Sequence, residues 1–96
     1  MGGSTFMVTA EGKTANDAFK IAIQDALYEY GHRGYTGTIA EKDSFIMIDL
    51  PKGKNAREYA DELIDNSDER IDDKWGPAGC IELEKEKFFF FGWASC

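Results

Sequence analysis

The chain has 96 residues, 43% of them hydrophobic and 14% aromatic, and a formal net charge of -7. That is one domain's length, with enough apolar material for a single core and too much for wholesale disorder. The acidic balance argues against direct contact with a nucleic-acid backbone, and no apolar run approaches the roughly 20 residues of a membrane span.

The first four residues carry neither a basic nor an apolar targeting segment. A flexible start at 1–4 and a cytoplasmic location are therefore expected. Thr5 to Ala10 reads as a strand, with Phe6, Val8 and Ala10 on one face. After Gly12-Lys13, Thr14 and Asp17 resemble a capping box. Ala15, Ala18, Phe19, Ala22, Ile23, Ala26, Leu27 and Tyr30 then repeat at helical spacing, and Gly31 supplies a stop.

Residues 31–42 hold three of the ten glycines and the only histidine. Glycine loops that cradle phosphate lead into a helix, whereas these follow one, and Gly31, Gly34 and Gly37 match neither a P-loop nor a dinucleotide fingerprint. His32 is a weak candidate general base, with Glu41 or one of Asp72 and Asp73 to orient it. No nucleophile motif accompanies it, so a non-enzymatic protein without cofactor is the expectation. The competing reading makes His32 a helix-end charge or loop hydrogen-bonder and the glycines a tight corner.

Thr38 to Glu41 and Ser44 to Leu50 read as two strands around a turn at Lys42-Asp43, the second apolar enough to be central. Pro51 to Lys54 ends it, and Asn55 with Glu58 opens a helix that buries Ala56, Tyr59, Ala60, Leu63 and Ile64 and stops near Asn66.

Seven of the 18 acidic residues follow closely: Asp61, Glu62, Asp65, Asp68, Glu69, Asp72 and Asp73. Counted from Asp65, an EF-hand loop would place Arg70 at the required glycine and lacks its final glutamate, so the EF-hand reading fails. A solvated helix end or an acidic partner-binding patch remains.

Trp75 to Gly79 is a stiff turn into two last strands. Ile81 and Leu83 alternate with Glu82 and Glu84, and residues 84–87 form a hairpin. Phe88 to Trp93 is aromatic on both faces, which calls for cover from helices on one side and from a loop, the same monomer or a partner subunit on the other. Cys80 and Cys96 either pair or stay free; convergence with His32 on a metal is a minor alternative, since zinc spacing is absent.

The order of elements predicts a single α+β domain: a mainly antiparallel sheet of about five strands with both helices on one face, a ferredoxin-like core plus a terminal strand being one route. Two functions compete. One is an acidic binding protein using the seven carboxylates. The other is a small-molecule or nucleotide-binding protein, possibly a homodimer, using His32, Arg33, Gly34, Tyr35, Thr36, Trp75 and Trp93.

The segments Gly31-His32-x-Gly34-Tyr35-Thr36-Gly37-Thr38-Ile39-Ala40-Glu41-Lys42, Asp72-Asp73-Lys74-Trp75-Gly76-Pro77-Ala78-Gly79 and Phe90-Phe91-Gly92-Trp93-Ala94-Ser95 resemble a family of small uncharacterised phage and prokaryotic proteins. The resemblance implies a mobile-element origin and no established activity, with no assigned catalytic residues to carry over. It favours a protein that binds a basic host partner, such as a nucleic-acid-binding defence effector blocked in the manner of an anti-CRISPR protein.

Overall fold

A computed structural model of the chain describes residues 3–30 and 37–95. The element order is β1 (Gly3–Glu11), α1 (Ala15–Tyr30), a single-turn 3₁₀ helix (Ile39–Glu41), β2 (Phe45–Met47), α2 (Ala56–Asp65), β3 (Ala78–Glu84) and β4 (Lys87–Ser95). This is the expected α+β domain, built on four strands in the order β1-β4-β3-β2. Among the described residues no helix is long and apolar enough to cross a membrane.

β4 explains most of the core. It runs antiparallel between β1 and β3, so its alternating phenylalanines point to both sheet faces from a central position. Phe88 and Phe90 join Ala18, Phe19, Ala22 and Ala26 of α1 in one cluster. Phe89 and Phe91 join Ala60 and Leu63 of α2, with Ile71 and Ile81, in a second. The chain itself thus covers both faces of β4, without a second subunit. Phe19, Phe45 and Phe90 form a three-ring contact with centroids 5.0–5.7 Å apart.

The helices therefore lie on opposite faces, not on one. The reason is topological. β1, β2 and β3 point the same way, and α1 carries the chain from one sheet edge to the other, while α2 brings it back from β2 to β3. Two crossovers of the same preferred hand that move in opposite directions must use opposite faces.

Three other expectations are corrected. Thr38–Glu41 is not a strand: the Thr38 hydroxyl accepts from the Ala40 N–H at 3.2 Å, and Lys42 N–H closes the turn on Ile39 O at 2.9 Å. The apolar run Ser44–Leu50 is not a central strand either. β2 is a three-residue edge, parallel to β3, with Ile46 and Met47 exposed, because the more aromatic β4 holds the centre. Gly3 and Ser4, expected to be flexible, pair with Ser95 and Ala94 in the sheet.

Two glycines are required by this packing. Gly79 lies under the Phe91 ring, where a Cβ would meet Cζ at 2.6 Å. Gly92 holds φ +145, a conformation that L side chains rarely adopt.

Candidate functional site

Strand direction gathers the distinctive segments at one end of the sheet. α1 delivers the chain there, the 3₁₀ turn and Lys42 lie before β2, and residues 67–77 join α2 to β3. The residues that the sequence marks in two separate stretches meet at Lys42.

Lys42 is the one buried charged side chain among the described residues, 3% exposed. Its ammonium donates to the carbonyl oxygens of Asp73 (3.3 Å), Lys74 (3.1 Å) and Gly76 (2.9 Å). An ammonium has three protons, so this cage uses all of them. Burial drives the Lys42 pKa below the ordinary lysine value, and the Asp73 carboxylate acts in the opposite direction. Lys42 is thus a clamp that fixes residues 73–76 against the 3₁₀ turn, whose Ile39 is itself buried in the α1-side core. Sequence reading placed Lys42 in a tight turn and missed this role; a lysine at a turn carries no signal of the carbonyls it will meet.

The acidic stretch divides by position. α2 ends in a Schellman motif: Ser67 N–H donates to Ile64 O at 3.1 Å and Asp68 N–H to Leu63 O at 3.0 Å, with Ser67 at φ 53. Glycine fits that conformation without a Cβ conflict, so Ser67→Gly is expected to raise stability by about 1 kcal/mol in urea unfolding. The Asp68 carboxylate then receives Arg70 N–H at 3.0 Å and its guanidinium at 2.9 and 3.0 Å. These side-chain bonds from Arg70 hold the Asp68 carboxyl below its usual range and raise the guanidinium pKa further. Asp73 accepts from Trp75 N–H at 2.8 Å through its side chain and from Gly76 N–H at 2.9 Å through its carbonyl. Glu62 pairs with Lys54 at 2.6 Å.

Asp68 and Asp73 therefore build the loop, and Glu62 is neutralised at the surface. Asp61, Asp65, Glu69 and Asp72 are exposed, and no described cation forms an ion pair with them. Two of them, Asp61 and Asp65, sit one turn apart near the α2 C-terminus, where the helix dipole opposes negative charge.

The small-molecule candidates are only partly described: Gly31, His32, Arg33, Gly34, Tyr35 and Thr36 lie outside the described residues. Trp75 and Trp93 both lie at this end of the sheet. Trp75 is 63% exposed, with Lys74 Nζ 5.6 Å from its ring centroid. A Cβ on Gly3 would touch both Lys74 and Trp93 at 3.5 Å, which places the Lys74 stem beside Trp93. The Trp93 indole N–H is buried without an acceptor among the described residues.

Cys80 is fully buried in the α1-side core, where burial and then Glu82 push its thiol up to about 12. Such a thiol stays protonated and is a poor nucleophile or ligand. Its suggested partners His32 and Cys96 lie outside the described residues, and no described group of three His, Cys, Asp or Glu side chains is placed to hold a metal.

One groove of about 250 Å³ lies between β1, the C-terminal half of α1 and Thr38–Ile39 at the start of the 3₁₀ turn. No sequence pattern marked it, because it arises from small alanines on α1 meeting the sheet edge. Comparison with family models, curated proteins and solved structures finds no match.

Proposed function

We propose that this chain is a small acidic binding protein without catalytic activity, which docks a basic surface of a partner protein through Asp61, Asp65, Glu69 and Asp72. The observation that carries the reading is that these four carboxylates are exposed and have no ion pair among the described residues, while two of them, Asp61 and Asp65, sit near a helix end whose dipole disfavours them. A basic partner would relieve that repulsion. In the fuller form of the proposal the protein is mobile-element encoded, works in the host cytoplasm, and occupies the phosphate-binding surface of a defence protein, its carboxylates standing where phosphates would lie.

The test is capture of partners from host lysate at low and high salt, repeated with Asp61, Asp65, Glu69 and Asp72 changed to Asn or Gln. Binding to a stoichiometric partner should weaken at least tenfold in the neutralised variant and fall with salt. Undiminished binding by that variant overturns the acidic-surface mechanism.

A second reading has one specific observation behind it. The indole N–H of Trp93, unpartnered among the described residues and near Lys74 and the exposed Trp75, suits a small polar ligand at the same end of the sheet. Thermal-shift screening with nucleotides and divalent metals at millimolar concentration tests it, and absence of stabilisation counts against it.

A further inference from the structure

The two sheet edges differ sharply. β2 is three residues long, too short to template much pairing. β1 runs for nine residues, in unbroken register with β4 from Gly3↔Ser95 to Glu11↔Lys87, and no described strand pairs with its outer side. Its sequence, Gly-Ser-Thr-Phe-Met-Val-Thr-Ala-Glu, contains no proline, no lysine and no bulge. Among the described residues, then, neither proline, lysine, bulge nor covering strand closes this edge to further pairing.

Beside that edge lies the 250 Å³ groove, floored by Phe6, Val8, Ala22 and Ala26 and rimmed by Asp25 and Glu29. Its volume falls below the roughly 300–1,000 Å³ of small-molecule pockets and suits the side chains of a peptide instead. Along α1, Ile21, Asp25 and Tyr28 follow at intervals of four and three residues, on one flank of the helix. Ile21 is 41% and Tyr28 92% exposed, so apolar and acidic groups alternate along this flank of the helix.

We propose that β1 receives an extended segment of a partner protein as a fifth strand, with aliphatic side chains in the groove and lysine or arginine side chains against Asp25 and Glu29. The charge selects this occupant. Among the described residues no cation lines the groove, so a basic strand complements Asp25 and Glu29. A second copy of the chain, paired antiparallel through β1, would bring both α1 helices to the same face and set their carboxylates against one another. This surface is separate from the carboxylates on α2, and peptide side chains at alternate positions supply its specificity.

The experiment pans a displayed library of random decapeptides against the full chain and against the Asp25→Lys, Glu29→Lys variant. Both substitutions are at exposed positions near a helix C-terminus, where cations are favoured, so the fold is retained. Enriched peptides should alternate apolar with basic residues, bind the variant at least tenfold more weakly, and shift the amide resonances of residues 3–11. Neutralising Asp61, Asp65, Glu69 and Asp72 should leave their affinity unchanged, which separates failure here from failure of the α2 surface. No enrichment, equal binding to the variant, or shifts confined to residues 61–73 overturns the proposal. So does concentration-dependent dimerisation that protects the β1 amides, which would assign the edge to a second copy.

Discussion

Replacing Lys42 by methionine is expected to lower stability by about 3 kcal/mol, the combined effect of losing charge-assisted bonds and leaving carbonyl groups without their cationic donor. For a domain of this length that corresponds to a fall in Tm on the order of 15 °C. Methionine keeps most of the apolar stem, so the loss reports the ammonium and not a cavity. Arginine should not rescue it. Three carbonyls converge on one nitrogen at 2.9–3.3 Å, whereas a guanidinium spreads its donors over a planar fork. Hydrogen exchange at Trp75 and Gly76 should accelerate in the variant more than exchange in the β4 centre, because the loop loses its anchor first.

The same side chain predicts a pH effect with a definite sign. Its folded pKa is lowered, so between that value and the ordinary 10.5 the unfolded chain binds more protons than the folded one. Stability therefore gains a contribution that increases as pH rises through this window. Below the folded pKa both states are protonated and the burial cost is present in full. Subtracting the Lys42→Met profile from that of the parent, measured by urea unfolding between pH 8 and 10.5, isolates this slope from other lysines and tyrosines. A difference that falls with pH would contradict the buried-ammonium account.

Gly79→Ala should have an effect of similar size, about 3 kcal/mol, at the upper end of ordinary overpacking. The new methyl would stand 2.6, 2.8 and 3.0 Å from three carbons of the Phe91 ring. That ring is fully buried and stacked on Phe89 with centroids 5.9 Å apart, so it cannot swing toward solvent. Adding Phe91→Leu makes room. The double variant should be more stable than the sum of the two single losses by on the order of 1–2 kcal/mol. Strict additivity in equilibrium unfolding would mean that the ring and the methyl do not compete for the same space.

Much of this architecture follows from short-range pattern. α1 was legible because its alanines and Phe19 repeat on one stripe, and α2 because Asn55 caps it, accepting from Arg57 and Glu58 N–H. The hairpin between β3 and β4 was legible from the alternation around residues 84–87. What escaped depends on distant neighbours. Thr38–Glu41 alternates like a strand, but the Thr38 hydroxyl captures the Ala40 amide and turns the chain. Helix placement follows the direction of two crossovers, which no window of sequence records. Within the acidic stretch, composition cannot distinguish Asp68 and Asp73, which shape a loop, from Asp61 and Asp65, which face solvent. Leu83, expected to be buried with Ile81, is exposed near the strand end.

The place of β4 in the sheet has a consequence for biosynthesis. Every β1–β4 pair joins a residue before position 12 to one after position 86, and β3 also finds an antiparallel neighbour only in β4. While the chain emerges from a ribosome, both helices can begin to form, but the aromatic strand that each must cover has not yet arrived. The apolar stripes of α1 and α2 are then open to water and to other nascent chains. Closure over so long a span is also entropically demanding, so assembly should occur as one late, cooperative step after β4 is released.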